Sequence, residues 1–126
     1  MKIAIVHNSI ICDKKLHDGP FMVYCVLAMK AEINKGAYAC TALDIDIIRN
    51  SNLSDNAFRL YSFLAMYAGS NLNRVSVNIN ELPELTNKTR KTVQRAFLEL
   101  TSKGIIETIA PDTYILHDSI RDRKEG

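Results

Sequence analysis

The sequence predicts an α+β fold, mainly helical, built as a strand–helix–strand extension followed by a helical core with a terminal hairpin. Three observations carry that expectation. Apolar residues recur at helical spacing in several segments. Residues 10–31 are echoed without a gap by residues 47–68, at an offset of 37. Residues 78–118 read as a short helix, a tight turn, a longer helix and a two-stranded hairpin. At 126 residues with 47% hydrophobic and 24% charged content, the chain is a folded globular protein with room for one core.

The N-terminal stretch "MKIAIVHNSIICDKK" holds a short apolar run broken by His7 and Asn8. It is too polar for a signal segment, and no stretch approaches the ~20 apolar residues of a membrane span. A cytoplasmic location is therefore expected.

The echo pairs Ile10 with Ile47, Ile11 with Ile48, Leu16 with Leu53, Asp18 with Asp55, Phe21 with Phe58 and Tyr24 with Tyr61. It continues through Leu27/Leu64, Ala28/Ala65, Met29/Met66 and Ala31/Ala68, so ten of 22 positions are identical. That exceeds what two unrelated amphipathic helices share, and it points to a duplicated supersecondary unit. Each copy reads as a lead-in segment and a helix. In the first copy Pro20 sits in the first turn, and Val23, Tyr24, Leu27 and Ala31 follow the helical rhythm. In the second, Ser54 is a good N-cap and Asp55 suits the positive end of the dipole. Ala57, Leu60, Tyr61, Leu64, Ala65 and Ala68 then form one stripe, ended by Gly69.

Between the copies "AYACTAL" is β-like. Asp44 and Asp46 would share one face of a strand through "ALDIDI", as a solvent-facing pair. Their spacing could hold Mg²⁺, but further carboxylates are missing nearby, and no metal site is expected. After the second copy, "GSNLNRVSVNI" reads as a turn and a short strand.

The 78–118 segment has no counterpart in the first copy. Asn80 can cap its short helix, which places Pro83 in the first turn. Thr86 and Asn87 end that helix, since Asn tolerates the left-handed conformation. Thr89 caps the longer helix, which runs to about Ser102, and Lys103 and Gly104 stop it. "IIETIA" and "TYILHD" flank Pro111 and Asp112 as a hairpin.

On a wheel of about 100° per residue, Val93, Ala96, Phe97 and Leu100 share the apolar face of the longer helix. Lys91 and Arg95 point away from it, flanked by Gln94 and Lys88, with Arg90 nearer the edge. Positive charge at a helix N-terminus opposes the macrodipole at a few tenths of a kcal/mol per charge. Of these cations, only Arg95 has an acid four residues on, Glu99. The alternative is a solvated face kept basic for solubility. A phosphate backbone is the partner that the arrangement favours, and Arg and Gln can read base edges in the major groove.

"LPELTNKTRKTVQRAFLELTSKGII" resembles the helix-turn-helix of winged-helix DNA-binding proteins. The matching residues are Leu82, Thr89, Arg90, Lys91, Thr92, Val93, Gln94, Arg95, Leu100, Gly104 and Ile106. The openings "DKKLHDGPFMVYCVLA" and "SNLSDNAFRLYSFLA" are similar to those of plasmid and phage replication initiators and regulators, some of which carry two winged helices in tandem. Three departures stand out. Lys88 replaces an apolar turn residue, Pro83 shortens the first helix of the motif, and the first copy has no recognition helix.

The resemblance implies a winged helix-turn-helix over 50–118, preceded by an extension over 1–49 that echoes its first helix, and followed by a solvated tail over 119–126. It implies a sequence-preferring double-stranded DNA-binding protein, a transcriptional regulator of a plasmid or phage. Helix 89–102 would enter the major groove with Arg90, Lys91, Gln94 and Arg95 at base edges or adjacent phosphates. Lys88 and Thr89 would lie on phosphate, and Pro111, Asp112, Thr113 and Tyr114 would form a wing of small contribution. A homodimer is expected because tight specific binding ordinarily uses two half-sites. Phe21, Met22, Val26 and Met29 are candidates for its interface, for bracing the core, or for docking a protein partner. Leu98 lies on the basic side of its helix. The alternatives are a replication-initiator-like origin binder, and an interaction module or inhibitor that keeps the fold without DNA.

An enzyme is not expected. His7, His17 and His117 are far apart in sequence and read as exposed or capping residues. There is no Gly-rich phosphate loop, HExxH or catalytic paired-carboxylate motif, and no cofactor is implied. Cys12, Cys25 and Cys40 lack metal-ligand spacing and read as free buried thiols.

Overall fold

The computed structural model describes residues 3–13, 15–22, 40–68 and 74–117. Strand β1 (Ile3–His7) leads into a one-turn helix α1 (Asn8–Ile11). A helical segment at 18–22 follows. Strand β2 (Cys40–Asp44), helix α2 (Asp46–Asn50) and the long helix α3 (Asp55–Ala68) come next. Strand β3 (Arg74–Ser76) precedes a single 3₁₀ turn (Ile79–Glu81), helix α4 (Leu82–Thr86) and helix α5 (Arg90–Ser102). The hairpin β4 (Ile106–Ala110) and β5 (Thr113–Leu116) follows α5.

β1 and β2 form a two-stranded antiparallel ribbon, and a second sheet has the order β3-β5-β4. One apolar cluster runs from Ala4 and Val6 through α3 to Leu100, Ile106 and Leu116, so both halves of the chain share a core. Among the described residues no helix is long and apolar enough to cross a membrane.

The internal echo is structural as well as sequential. Strands β1 and β2 are themselves 37 residues apart, and each is followed by a short helix and then a second helical segment. Phe21 N donates to the His17 carbonyl at 2.9 Å, and Phe58 N donates to the Ser54 carbonyl at 2.9 Å, the same bond at the same offset. The ribbon register places the two copies around a local two-fold. Ile5 pairs with Ala42, its own equivalent, while Ile3↔Asp44 and Cys40↔His7 exchange under the same operation. Phe21 and Phe58 meet near this dyad, with ring centroids 6.0 Å apart, and both are fully buried.

α3 is the centre of the molecule. The sequence stripe predicts one packed face, but Ala57 through Ala65 are all buried. A helix with partners on two sides is apolar nearly all round. Here the first copy covers one side and α5 another. Ser62 lies inside by donating to the Phe58 carbonyl at 2.9 Å. Tyr61, fully buried, accepts from Asp44 N at 3.0 Å.

Several finer expectations are corrected. Phe21 is a core residue of its own chain and Met22 packs against that core; Val26 and Met29 lie outside the described residues. Asp44 and Asp46 do not share a strand face. β2 ends at Asp44, which is 3% exposed, and its Oδ1 accepts from Asp46 N at 3.1 Å, opening α2. Cys12 is exposed rather than buried, its Sγ 3.6 Å from Met66 Sδ. Cys25, Gly69 and the 119–126 tail lie outside the described residues, as does the side chain of Cys40. His7 does cap a helix, its Nδ1 accepting from Ser9 N at 3.2 Å.

Candidate nucleic-acid interface

The basic helix is aimed by its two ends and its buried flank. Asn78, not Asn80, opens the motif, its side chain accepting from Asn80 N at 2.9 Å. The 3₁₀ turn runs straight into α4, with Pro83 in its first turn, where a missing N–H costs nothing. Asn87 at φ 59°, ψ 40° reverses the chain, and Lys88 N donates to the Pro83 carbonyl at 2.9 Å. That left-handed cap closes α4 after five residues. Thr89 then caps α5, its side chain accepting from Thr92 N at 3.1 Å. Gly104 at φ 75° ends α5, as the sequence predicts.

Val93, Ala96 and Leu100 bury the inner face of α5, and Phe97 packs edge-on against Tyr114 at 5.0 Å. Polar tethers fix its rotation. Asn56 Nδ2 donates to the Thr92 carbonyl at 3.3 Å. The Ser54 backbone N–H and hydroxyl each donate to the Glu99 carboxylate at 2.8 Å. Lys103 Nζ donates to the carbonyls of Ser51 (2.5 Å) and Asn52 (2.8 Å), beyond the C-terminus of α2. Seated in this way, α5 turns Arg90, Lys91, Gln94, Arg95 and Leu98 to solvent.

The charges divide into two kinds. Arg90, Lys91 and Arg95 have no ion pair among the described residues. Glu99, the acid expected to serve Arg95, is turned instead to Ser54 and Lys103. Lys88 differs. Its Nζ lies 2.5 Å from Asp18 Oδ2, so it is tied to the first copy rather than presented with the others. This contact also accounts for a lysine at a turn position that resembles an apolar one.

Asp18 faces a second cation, Arg59, at 3.6 Å. Arg59 is 5% exposed. Its guanidinium donates to the carbonyls of Ile11 (3.0 and 3.2 Å), Leu16 (2.7 Å) and Asp13 (2.8 Å), and it stacks 4.3 Å from the Phe21 ring centroid. The clamp locks the 11–18 segment onto α3 and carries Asp18 to Lys88. Sequence reasoning passes over Arg59, because an arginine inside an apolar run reads as a solvated side chain. The available signal was the echo, in which Arg59 aligns with Met22.

The hairpin contributes little positive charge. Pro111 and Asp112 are exposed at its tip, and Asp112 adopts φ 58°. Thr113 Oγ1 donates to the Pro111 carbonyl at 3.3 Å. Tyr114 is 5% exposed and belongs to the packing under Phe97. Glu107, partnered by His117 at 2.9 Å, and Asp112 make this surface acidic. Arg74, exposed at the opposite edge strand, is a cation not anticipated from sequence.

Residues 51–106 match the family model of a helix-turn-helix domain. The match opens just before α3 and closes at the start of β4, so it spans α3, α4 and α5 with their turn. It supports DNA as the partner of this part of the chain, in agreement with the outward basic face. No curated protein and no solved structure matches the chain.

Proposed function

We propose that the protein is a sequence-preferring binder of double-stranded DNA, a transcriptional regulator of a plasmid or phage, and not an enzyme. The observation that carries this is the set of unpaired cations on a helix whose rotation is fixed by Asn56, Ser54 and Lys103. Arg90, Lys91, Gln94 and Arg95 meet base edges or the adjoining phosphates as α5 enters the major groove. Thr89, at the helix mouth, adds a phosphate contact. The β4–β5 hairpin is the wing of a winged helix, lying near the backbone with Pro111, Asp112 and Thr113 at its tip. Residues 1–49 brace the motif.

Origin binding in the manner of a replication initiator is the alternative that the internal repeat favours. An interaction module that keeps the fold without DNA is favoured by Leu98, which is 67% exposed in the middle of the basic face.

Titration of duplex DNA between 50 and 200 mM salt tests the reading. Each phosphate neutralised contributes about −0.9 to the slope of log K against log salt, so three cations give a slope of roughly −3. Undetectable duplex binding, or binding indifferent to salt, would overturn it in favour of the interaction module.

A further inference from the structure

We infer that the chain is its own pseudo-dimer, and that its DNA target is therefore a single asymmetric site read by one helix-turn-helix. The inference rests on the DNA-binding reading above and names the class of site within it.

A homodimer on a palindrome needs an isologous patch, in which residue i meets residue j and j meets i across a two-fold. That patch exists here inside one chain. The β1–β2 register relates i to 47 − i, while the repeat relates i to i + 37, and the two operations coincide at Ile5 and Ala42. Phe21 meets Phe58, its equivalent, on the same dyad. The residues that line this internal pairing, Ala4, Val6, Leu43, Phe21 and Phe58, are all fully buried within one chain.

Among the described residues, one side of this internal dimer carries a reading head and the other does not. After the second copy the chain builds α4 and α5 over Leu82–Ser102. After the first copy, whose alignment ends at Ala31, only residues 32–39 precede β2. That length cannot hold a helix, a turn and a second helix of this size. Among the described residues no recognition helix stands opposite α5 across the dyad, and the two-fold of the scaffold is not passed to the DNA. The clamp at Arg59 is equally one-sided, since its equivalent is Met22.

The test is selection of the full chain on a random duplex library, with mass by light scattering alone and on the enriched duplex. The expected result is a motif without two-fold symmetry and a mass of 14.2 kDa for the free chain, with one chain per duplex. Duplexes carrying two inverted motifs at spacings around one helical turn should bind each chain independently, with no more than about a twofold statistical gain at any spacing. A palindromic motif bound by two chains, or a gain of tenfold or more confined to one spacing, would overturn the inference while leaving DNA binding intact. Failure to enrich any duplex would instead remove the DNA-binding reading, and this inference with it.

Discussion

The two copies of the repeat start alike and end differently. Both contribute a strand to the shared ribbon, a short helix after it and a phenylalanine that meets its counterpart. In the second, Met22 has become Arg59, and the chain continues into the helix-turn-helix. The first copy places Ile11 and Phe21 in the shared core. In the second, Ala57 through Ala65 are all buried, because α3 is packed by the first copy on one side and by α5 on another. The difference teaches that a duplicated unit can be divided between support and function. One copy supplies the wall against which the other aims its basic helix.

Equivalence at the dyad gives the largest expected effect. Phe21→Ala and Phe58→Ala should each cost about 3–5 kcal/mol of unfolding free energy, as fully buried aromatics do. Because the rings touch, the double variant should cost less than the sum. Denaturant unfolding measures all three. A Phe21→Ala variant as stable as the parent would break the claim that the first copy is part of the core.

Asymmetry at the clamp comes next. Arg59→Met makes the second copy resemble the first, and it leaves three backbone carbonyls and Asp18 short of a donor. A loss of roughly 2–4 kcal/mol is expected, the range for breaking a buried charged network. Stability equal to the parent would mean that the guanidinium is replaceable by packing alone.

The division of cations gives a smaller effect, on binding. Arg95→Ala should weaken duplex affinity by about 1–3 kcal/mol and leave thermal stability within about 0.5 kcal/mol. Lys88→Ala should do the reverse, lowering stability with little change in affinity, since its ammonium is held by Asp18. Fluorescence anisotropy alongside thermal melts separates the two. Equal effects of both substitutions on binding would erase the distinction drawn between them.

The cap of α5 is the smallest. Thr89→Ala removes the acceptor for Thr92 N and should cost about 1 kcal/mol, while Thr89→Ser should cost almost nothing. A melt of the pair checks this.

Much of the helix-turn-helix was legible because its signals are local. Thr89, Asn87 and Gly104 mark their own turns by backbone preference, and the Val93–Leu100 stripe marks the inner face by period alone. The hairpin was legible for the same reason, from Pro111 and Asp112 between apolar runs. The cap at Asn78 was misplaced by two residues, because a 3₁₀ turn precedes α4 and has no hydrophobic period of its own. The burial of Tyr114 under Phe97 was not legible, since alternation in a short strand does not say which face Phe97 will cover.

By itself, then, the sequence determined the helix-turn-helix, the hairpin, the repeat and the outward direction of the basic face, all of which follow from spacing and backbone preference, while the short helices Asn8–Ile11 and Asp46–Asn50 carry no period of their own. The tertiary structure alone decided which charges are free. Lys88 and Arg95 are alike in sequence, but a carboxylate 70 residues before Lys88 claims it, and the acid four residues after Arg95 is claimed by Ser54. Ion pairing is settled by distance in space, and that distance is set by the packing of the two copies about their dyad.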